Sequence, residues 1–175
     1  MYQLKTYQKK VLVDTLTPVS IYQKIRDNFS NSILLESSDY GANDNSYAYI
    51  CFNPVSHISI KNLNIEIEYP DKSESFEIKN GREVIDQINR FCKSFKCTID
   101  NKKFINNGVF GYTNYDSVKY FEDIEIDSNN DSIDIPDIYY AFYSNIIVIN
   151  VFNNEAVIYN HSFKTPNNVN QISDL

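Results

Sequence analysis

Apolar residues follow two rhythms along this chain. One has a period of two. Leu63, Ile65, Ile67 and Tyr69 alternate with Asn64, Glu66 and Glu68, which predicts a strand with one buried and one wet face. Apolar runs at Lys5–Val13, Ile33–Leu35, Tyr47–Phe52, Val55–Ile60 and Gly108–Tyr115 read as further strands. After Pro70-Asp71, Ser75–Ile78 pairs back as a hairpin. Tyr139–Phe152 is a long strand rich in Tyr, Phe, Ile and Val, and Ala156–Tyr159 is its partner across Asn153-Asn154. The other rhythm is helical. Thr17 is a good N-cap and Pro18 suits the first helical position. Val19, Tyr22, Ile25 and Phe29 follow at near-helical spacing, so a helix is expected over Pro18–Phe29. A second is expected over Arg82–Phe95, with Ile85, Ile88, Cys92 and Phe95 as its apolar stripe. Ser117–Phe121 reads as a short helical turn. Many strands, few helices and no regular strand–helix alternation predict an α+β fold built largely on antiparallel sheet.

Polar stretches punctuate this pattern. Ser38–Asn45 is rich in the turn formers Asp, Asn and Gly. Asp123–Asp137 carries many carboxylates and reads as a surface loop or linker. Beyond residue 163 the periodicity fades, so residues 1–163 are expected to form one domain and 164–175 a linker or tail. The length, 175 residues, suits a single domain with a sizeable core.

Charge narrows the function classes. The net charge is -7, and Lys9-Lys10 and Lys102-Lys103 are the only basic clusters. Nucleic-acid binding needs a basic face, so it is excluded as an expectation. No apolar run approaches the roughly 20 residues that cross a bilayer, and the start lacks the apolar core of a secretory signal. The expectation is a cytoplasmic protein with no membrane partner. Cys51, Cys92 and Cys97 are an odd number, which suits reduced thiols. His57 and His161 lie far from them in sequence, so no zinc cage is expected. The aromatics are 14 Tyr and 11 Phe, amphipathic or apolar rings suited to sheet faces and interfaces.

Catalytic chemistry is not visible. No nucleophile stands beside a base, and the four glycines match neither phosphate-binding signature. His57 sits in an apolar strand, where a structural role is expected. Residue patterns by themselves describe an acidic α+β domain without a catalytic set.

Three segments say more. Thr17-Pro18-Val19-Ser20-Ile21-Tyr22 is followed by Leu34-Leu35-Glu36-Ser37-Ser38-Asp39. Gly108-Val109-Phe110-Gly111-Tyr112 leads to Tyr115-Asp116 and Lys119-Tyr120-Phe121-Glu122. Pro136-Asp137 opens Ile138-Tyr139-Tyr140-Ala141-Phe142-Tyr143. In order and spacing this set resembles the N-terminal domain of anthranilate synthase component I, over about residues 15–159. The resemblance implies a non-catalytic domain packed on a C-terminal chorismate-binding domain that holds Mg²⁺. It also implies a glutamine amidotransferase subunit, component II, as the ammonia source. The parent reaction makes anthranilate and pyruvate for tryptophan biosynthesis. The Leu-Leu-Glu-Ser segment corresponds to the family's site for tryptophan, its feedback inhibitor. Carried over, the inhibitor-binding residues are Leu35, Glu36 and Ser37, with Tyr47 on the neighbouring strand. A carboxylate for the ligand's ammonium, a hydroxyl for its polar end and an apolar slot for its indole form a sensible set. Where relatives carry Arg-Tyr-Ser, this chain has Ser46-Tyr47-Ala48 and so lacks an Arg for the ligand carboxylate. Two other readings share these features: aminodeoxychorismate synthase component I of the folate pathway, and a stand-alone small-molecule-binding module.

Overall fold

The computed structural model describes residues 1–36, 46–97, 103–124 and 135–163. The predicted loop at Ser38–Asn45, the predicted tail at 164–175 and most of the acidic stretch lie outside them. The chain is α+β and mostly antiparallel, as its patterning predicts. It divides into two compact units.

The first unit comprises Met1–Pro54, Phe95–Gly108 and Tyr143–Leu175. It holds β1 (Tyr2–Leu12), α1 (Pro18–Arg26), β2 (Ile33–Leu35), the first half of β3 (Tyr47–Lys61) and a short strand at Phe95–Cys97. Most of the long strand Ile138–Asn150 and the strand Glu155–Phe163 also belong to it. The predicted hairpin forms: Asn150 pairs with Glu155 and Ile147 with Ile158. Glu155–Phe163 continues along β1, so that Leu4 faces Phe163 and Leu12 faces Glu155. Phe95, expected as the last residue of a helix, instead opens the strand Phe95–Cys97, which pairs parallel with Tyr2–Leu4. The core lies under α1. Val13, Ala48, Ile50, Phe52, Ile147, Ile149 and Ala156 are buried there, and Ile21, Tyr22, Ile25, Phe29 and Leu34 cover them.

Helix α1 starts where its caps predict. The Thr17 hydroxyl accepts from Ser20 N–H at 3.1 Å, and the Ser20 hydroxyl accepts from Thr17 N–H at 3.0 Å. It stops three residues before Phe29, and the chain leaves through Asn31 in the left-handed region at φ 55°. Phe29 still docks, its ring 5.0 Å from Phe52.

The second unit comprises Val55–Ser94 and Val109–Phe142. It holds the rest of β3, β4 (Asn64–Glu68), β5 (Ser73–Glu77) and α2 (Gly81–Cys92). With Phe95–Cys97 as β6, the later strands are β7 (Val109–Thr113), β8 (Ile138–Asn150) and β9 (Glu155–Phe163), and a 3₁₀ turn spans Tyr115–Tyr120. The alternation at 63–69 holds: Ile65, Ile67 and Tyr69 are buried while Glu66 and Glu68 are exposed. The strands expected on either side of Asn53-Pro54 are one strand. Register with β2 stops at Cys51 and register with β4 starts at His57, so the missing N–H of Pro54 costs neither ladder a bond. His57 has a structural setting, paired with Glu68 and stacked 5.5 Å from Tyr139.

The apolar stripe of α2 is rotated from the expected one. Val84 and Phe91 are fully buried, whereas Ile85 and Cys92 are exposed. At the helix N-terminus Asn80 caps Glu83 N–H. There Gly81 approaches the Tyr120 carbonyl so closely that a Cβ would lie 1.4 Å from its oxygen. Asp137 anchors the other side of this unit. Its carboxylate accepts from the Tyr120 hydroxyl, from Lys119 Nζ at 3.0 Å and from Asn114 Nδ2 at 3.1 Å. Burial alone would raise its pKa. The bonds from Tyr120, Lys119 and Asn114 outweigh that and hold it below the ordinary aspartate value.

Candidate functional site

Strand β2 is only three residues long, so its side chains divide cleanly by alternation. Leu34 pairs with Ile50 and points with it into the core beneath α1. Leu35 pairs with Tyr49 and lies on the opposite face. Tyr47 is two residues before Tyr49 on β3, so Leu35, Tyr47 and Tyr49 share that face. Leu35 is exposed and both tyrosines are half-buried, leaving apolar and aromatic surface accessible at the end of the strand pair.

Of the four predicted site residues, the structure brings Leu35 and Tyr47 onto one surface. Glu36 follows directly and is exposed. The reason is local: β2 ends at Leu35, so no further pairing covers the next side chain. Ser37 lies outside the described residues. Ser46, beside Tyr47, uses its carbonyl to accept from Val151 N–H at 3.0 Å.

Two neighbours escaped the sequence reading. Phe104 places its ring 5.2 Å from that of Tyr47. The Tyr49 hydroxyl accepts from Ile105 N–H at 3.3 Å. Burial pushes the Tyr49 phenol up, against the opposing effect of that N–H. Tyr49 was findable, since a period of two puts it beside Tyr47. Phe104 carries no pattern that points to this face.

A buried polar chain lies behind Phe104. Its ring is 6.2 Å from Tyr159, which stacks on His161 at 6.4 Å. Thr6 Oγ1 lies 2.8 Å from His161 Nδ1 and 3.0 Å from Cys97 Sγ. His161 Nε2 lies 3.0 Å from the Asn106 carbonyl. Burial lowers the His161 pKa, opposed by the Asn106 bond. Residues 91 and 155 apart in sequence are thus joined through one threonine, which spacing did not reveal. Among the described residues no three His, Cys, Asp or Glu side chains gather as a metal site, and no helix is long and apolar enough to cross a membrane. Among the described residues the face carries exposed Leu35, the half-buried rings of Tyr47 and Tyr49 and, next to them, the exposed Glu36 carboxylate.

No family model matches this chain. Individual proteins do. Anthranilate synthase component 1 of Lactococcus lactis subsp. lactis is 26% identical over 141 residues, which cover 80% of this chain and 29% of that protein. The protein of the same name from Aquifex aeolicus is 31% identical over 150 residues, 85% of this chain and again 29% of its own length. A crystal structure of anthranilate synthase component I from Streptococcus pneumoniae TIGR4 aligns with 85% of this chain and 30% of its own, at 18% identity and a TM-score of 0.46. The chain spans less than a third of the curated relatives it matches. What it matches is a domain-sized stretch of a larger synthase. The chain is a homologue of part of anthranilate synthase component I.

Proposed function

We propose that this chain is the N-terminal, regulatory domain of an anthranilate synthase component I, working in the cytoplasm. The observation that carries this reading is the 31% identity to the Aquifex aeolicus protein across 85% of the chain. The parent reaction takes chorismate and ammonia, delivered from glutamine by a component II subunit, to anthranilate and pyruvate. Its Mg²⁺ and catalytic groups belong to a chorismate-binding domain. This chain has two tasks in that assembly. It binds tryptophan on the face of Leu35 and Tyr47, with Glu36 and Ser37 taking the ligand's polar end. It also packs on the catalytic domain through exposed aromatic surface, for which Tyr112, Tyr115 and Phe121 of the second unit are candidates.

Glu36 is exposed, so its attraction for the ligand's ammonium is screened until the bound ligand covers it. Once covered, a charge-assisted bond contributes about 1.5 to 3 kcal/mol. Calorimetric titration with tryptophan tests the site. Glu36→Ala and Ser37→Ala are each expected to weaken binding about tenfold. Superimposable titrations for wild type and both variants would remove these residues from the site. A wild-type protein indifferent to tryptophan would favour the folate-pathway sister enzyme instead. The chain by itself is expected to give no anthranilate fluorescence with chorismate, Mg²⁺ and ammonium, and turnover above the blank would contradict the division of labour.

A further inference from the structure

The hydrogen-bond chain behind Phe104 has a direction that its chemistry settles. The Asn106 carbonyl can only accept, so His161 Nε2 carries a proton. A neutral ring then has its lone pair on Nδ1, which accepts from the Thr6 hydroxyl. That uses the hydroxyl's single proton, so the Cys97 thiol is the donor to Thr6. The order runs from Cys97 through Thr6 to His161, and from His161 on to the backbone of Asn106. It ties β1, β6 and β9 to the segment that follows β6.

That segment also touches the ligand face. Phe104 fills the space between the rings of Tyr47 and Tyr159. Ile105 N–H holds the Tyr49 hydroxyl. Asn106, two residues from Phe104, is buried and bonded to His161. One short stretch therefore contacts both tyrosines of the face at one end and the histidine at the other.

We propose that Phe104–Asn106 form a strap that fixes the Tyr47 and Tyr49 rings, and that His161, protonated on Nε2 alone, is the positioning residue that holds the strap down. The structural half stands on the contacts above. The consequence for ligand affinity rests on the tryptophan reading.

Two substitutions separate the roles of the two ring nitrogens. In His161→Gln the amide nitrogen reaches the place of Nε2 and can still donate to Asn106. In His161→Asn the side chain ends near Nδ1 and cannot reach that carbonyl. Amide hydrogen exchange followed by NMR reads the strap at Ile105, with Ile147 and Ile158 of the β8–β9 pair as controls for folding. Ile105 is expected to stay protected in His161→Gln and to exchange about tenfold faster in His161→Asn, with the controls unchanged. Equal protection in both variants would overturn the strap. The imidazole ¹⁵N spectrum of the wild type needs no variant: it is expected to show the proton on Nε2, and a proton on Nδ1 would overturn the latch. Tryptophan titration then tests the consequence. Weaker binding by several-fold in His161→Asn than in His161→Gln supports it, and equal binding in two variants whose Ile105 protection differs refutes it. If no variant or wild type binds tryptophan while Ile105 protection still differs, the ligand reading fails and the strap stands.

Discussion

Replacing Asp137 by Asn preserves the size of the side chain and removes its charge, at a position where three side-chain donors and the Asn62 N–H converge. Tyr120, Lys119 and Asn114 all give protons to this carboxylate, and the side chain is 8% exposed. An amide has only one accepting oxygen, so its NH₂ must face at least one of these donors. Breaking a buried ion pair by removing one partner costs about 3–5 kcal/mol. Lys119 is 28% exposed and can turn towards water, which pulls the expectation to about 3 kcal/mol. For a chain of this size that is a fall in Tm of roughly 6–12 °C. Urea denaturation of wild type and Asp137→Asn at pH 7 measures it. The pH dependence checks the cause. Asp137 is held below the ordinary aspartate value, so its stabilisation is complete above about 3.9, the unfolded value, and is lost as the pH falls through the lower folded value. The gap between wild type and variant must therefore close in acid. A gap under about 1 kcal/mol at pH 7, or one that persists unchanged at pH 2 to 3 in a still-folded protein, would refute the argument.

Three other outcomes follow from the same structure. Gly81→Ala raises helix propensity by about 1 kcal/mol, yet it drives a Cβ into the Tyr120 carbonyl, and thermal melts are expected to show a net loss of about 1–3 kcal/mol. Thiol titration should find Cys92 reacting before Cys51, which stays silent until unfolding: Cys51 is buried and its pKa is pushed up to about 12, while Cys92 is exposed, although partial burial raises its pKa too. His161 is buried with a lowered pKa, so its unfolded form binds more protons below about pH 6.5. Stability should fall as the pH drops from there towards the folded value, and His161→Gln should flatten that part of the curve in urea titrations.

The elements whose signals are local were legible in the sequence. Alternation at 63–69 marked β4 and its buried isoleucines, because side chains two apart share a face whatever the strand's partner. Thr17-Pro18 marked the start of α1, because capping is settled within three residues. The ordered segments around Glu36, Gly108 and Pro136 were enough to suggest the relatives that individual protein comparisons then supplied. Leu35 and Tyr47 were named through the resemblance, and it is the register of β2 on β3 that puts them on one surface. Features that depend on distant partners were not legible. Phe95 continues a helical spacing, yet it opens a strand because the edge of β1 offers Phe95–Cys97 backbone bonds. The buried stripe of α2 was misphased because Val84 and Phe91 lie one position before Ile85 and Cys92, and both sets fit a helical period, so only the packing of the helix chose between them. Thr6, Cys97, Asn106 and His161 look unrelated along the chain, and Phe104 carries no periodic mark. Pairing of β9 with β1 brings Thr6 opposite His161, and the parallel pairing of β6 brings Cys97 opposite Leu4, close to Thr6. A hydrogen-bond chain of that kind exists only once the sheet has closed, because each link needs a donor and an acceptor within about 3 Å, and only tertiary pairing sets such distances between residues remote in sequence.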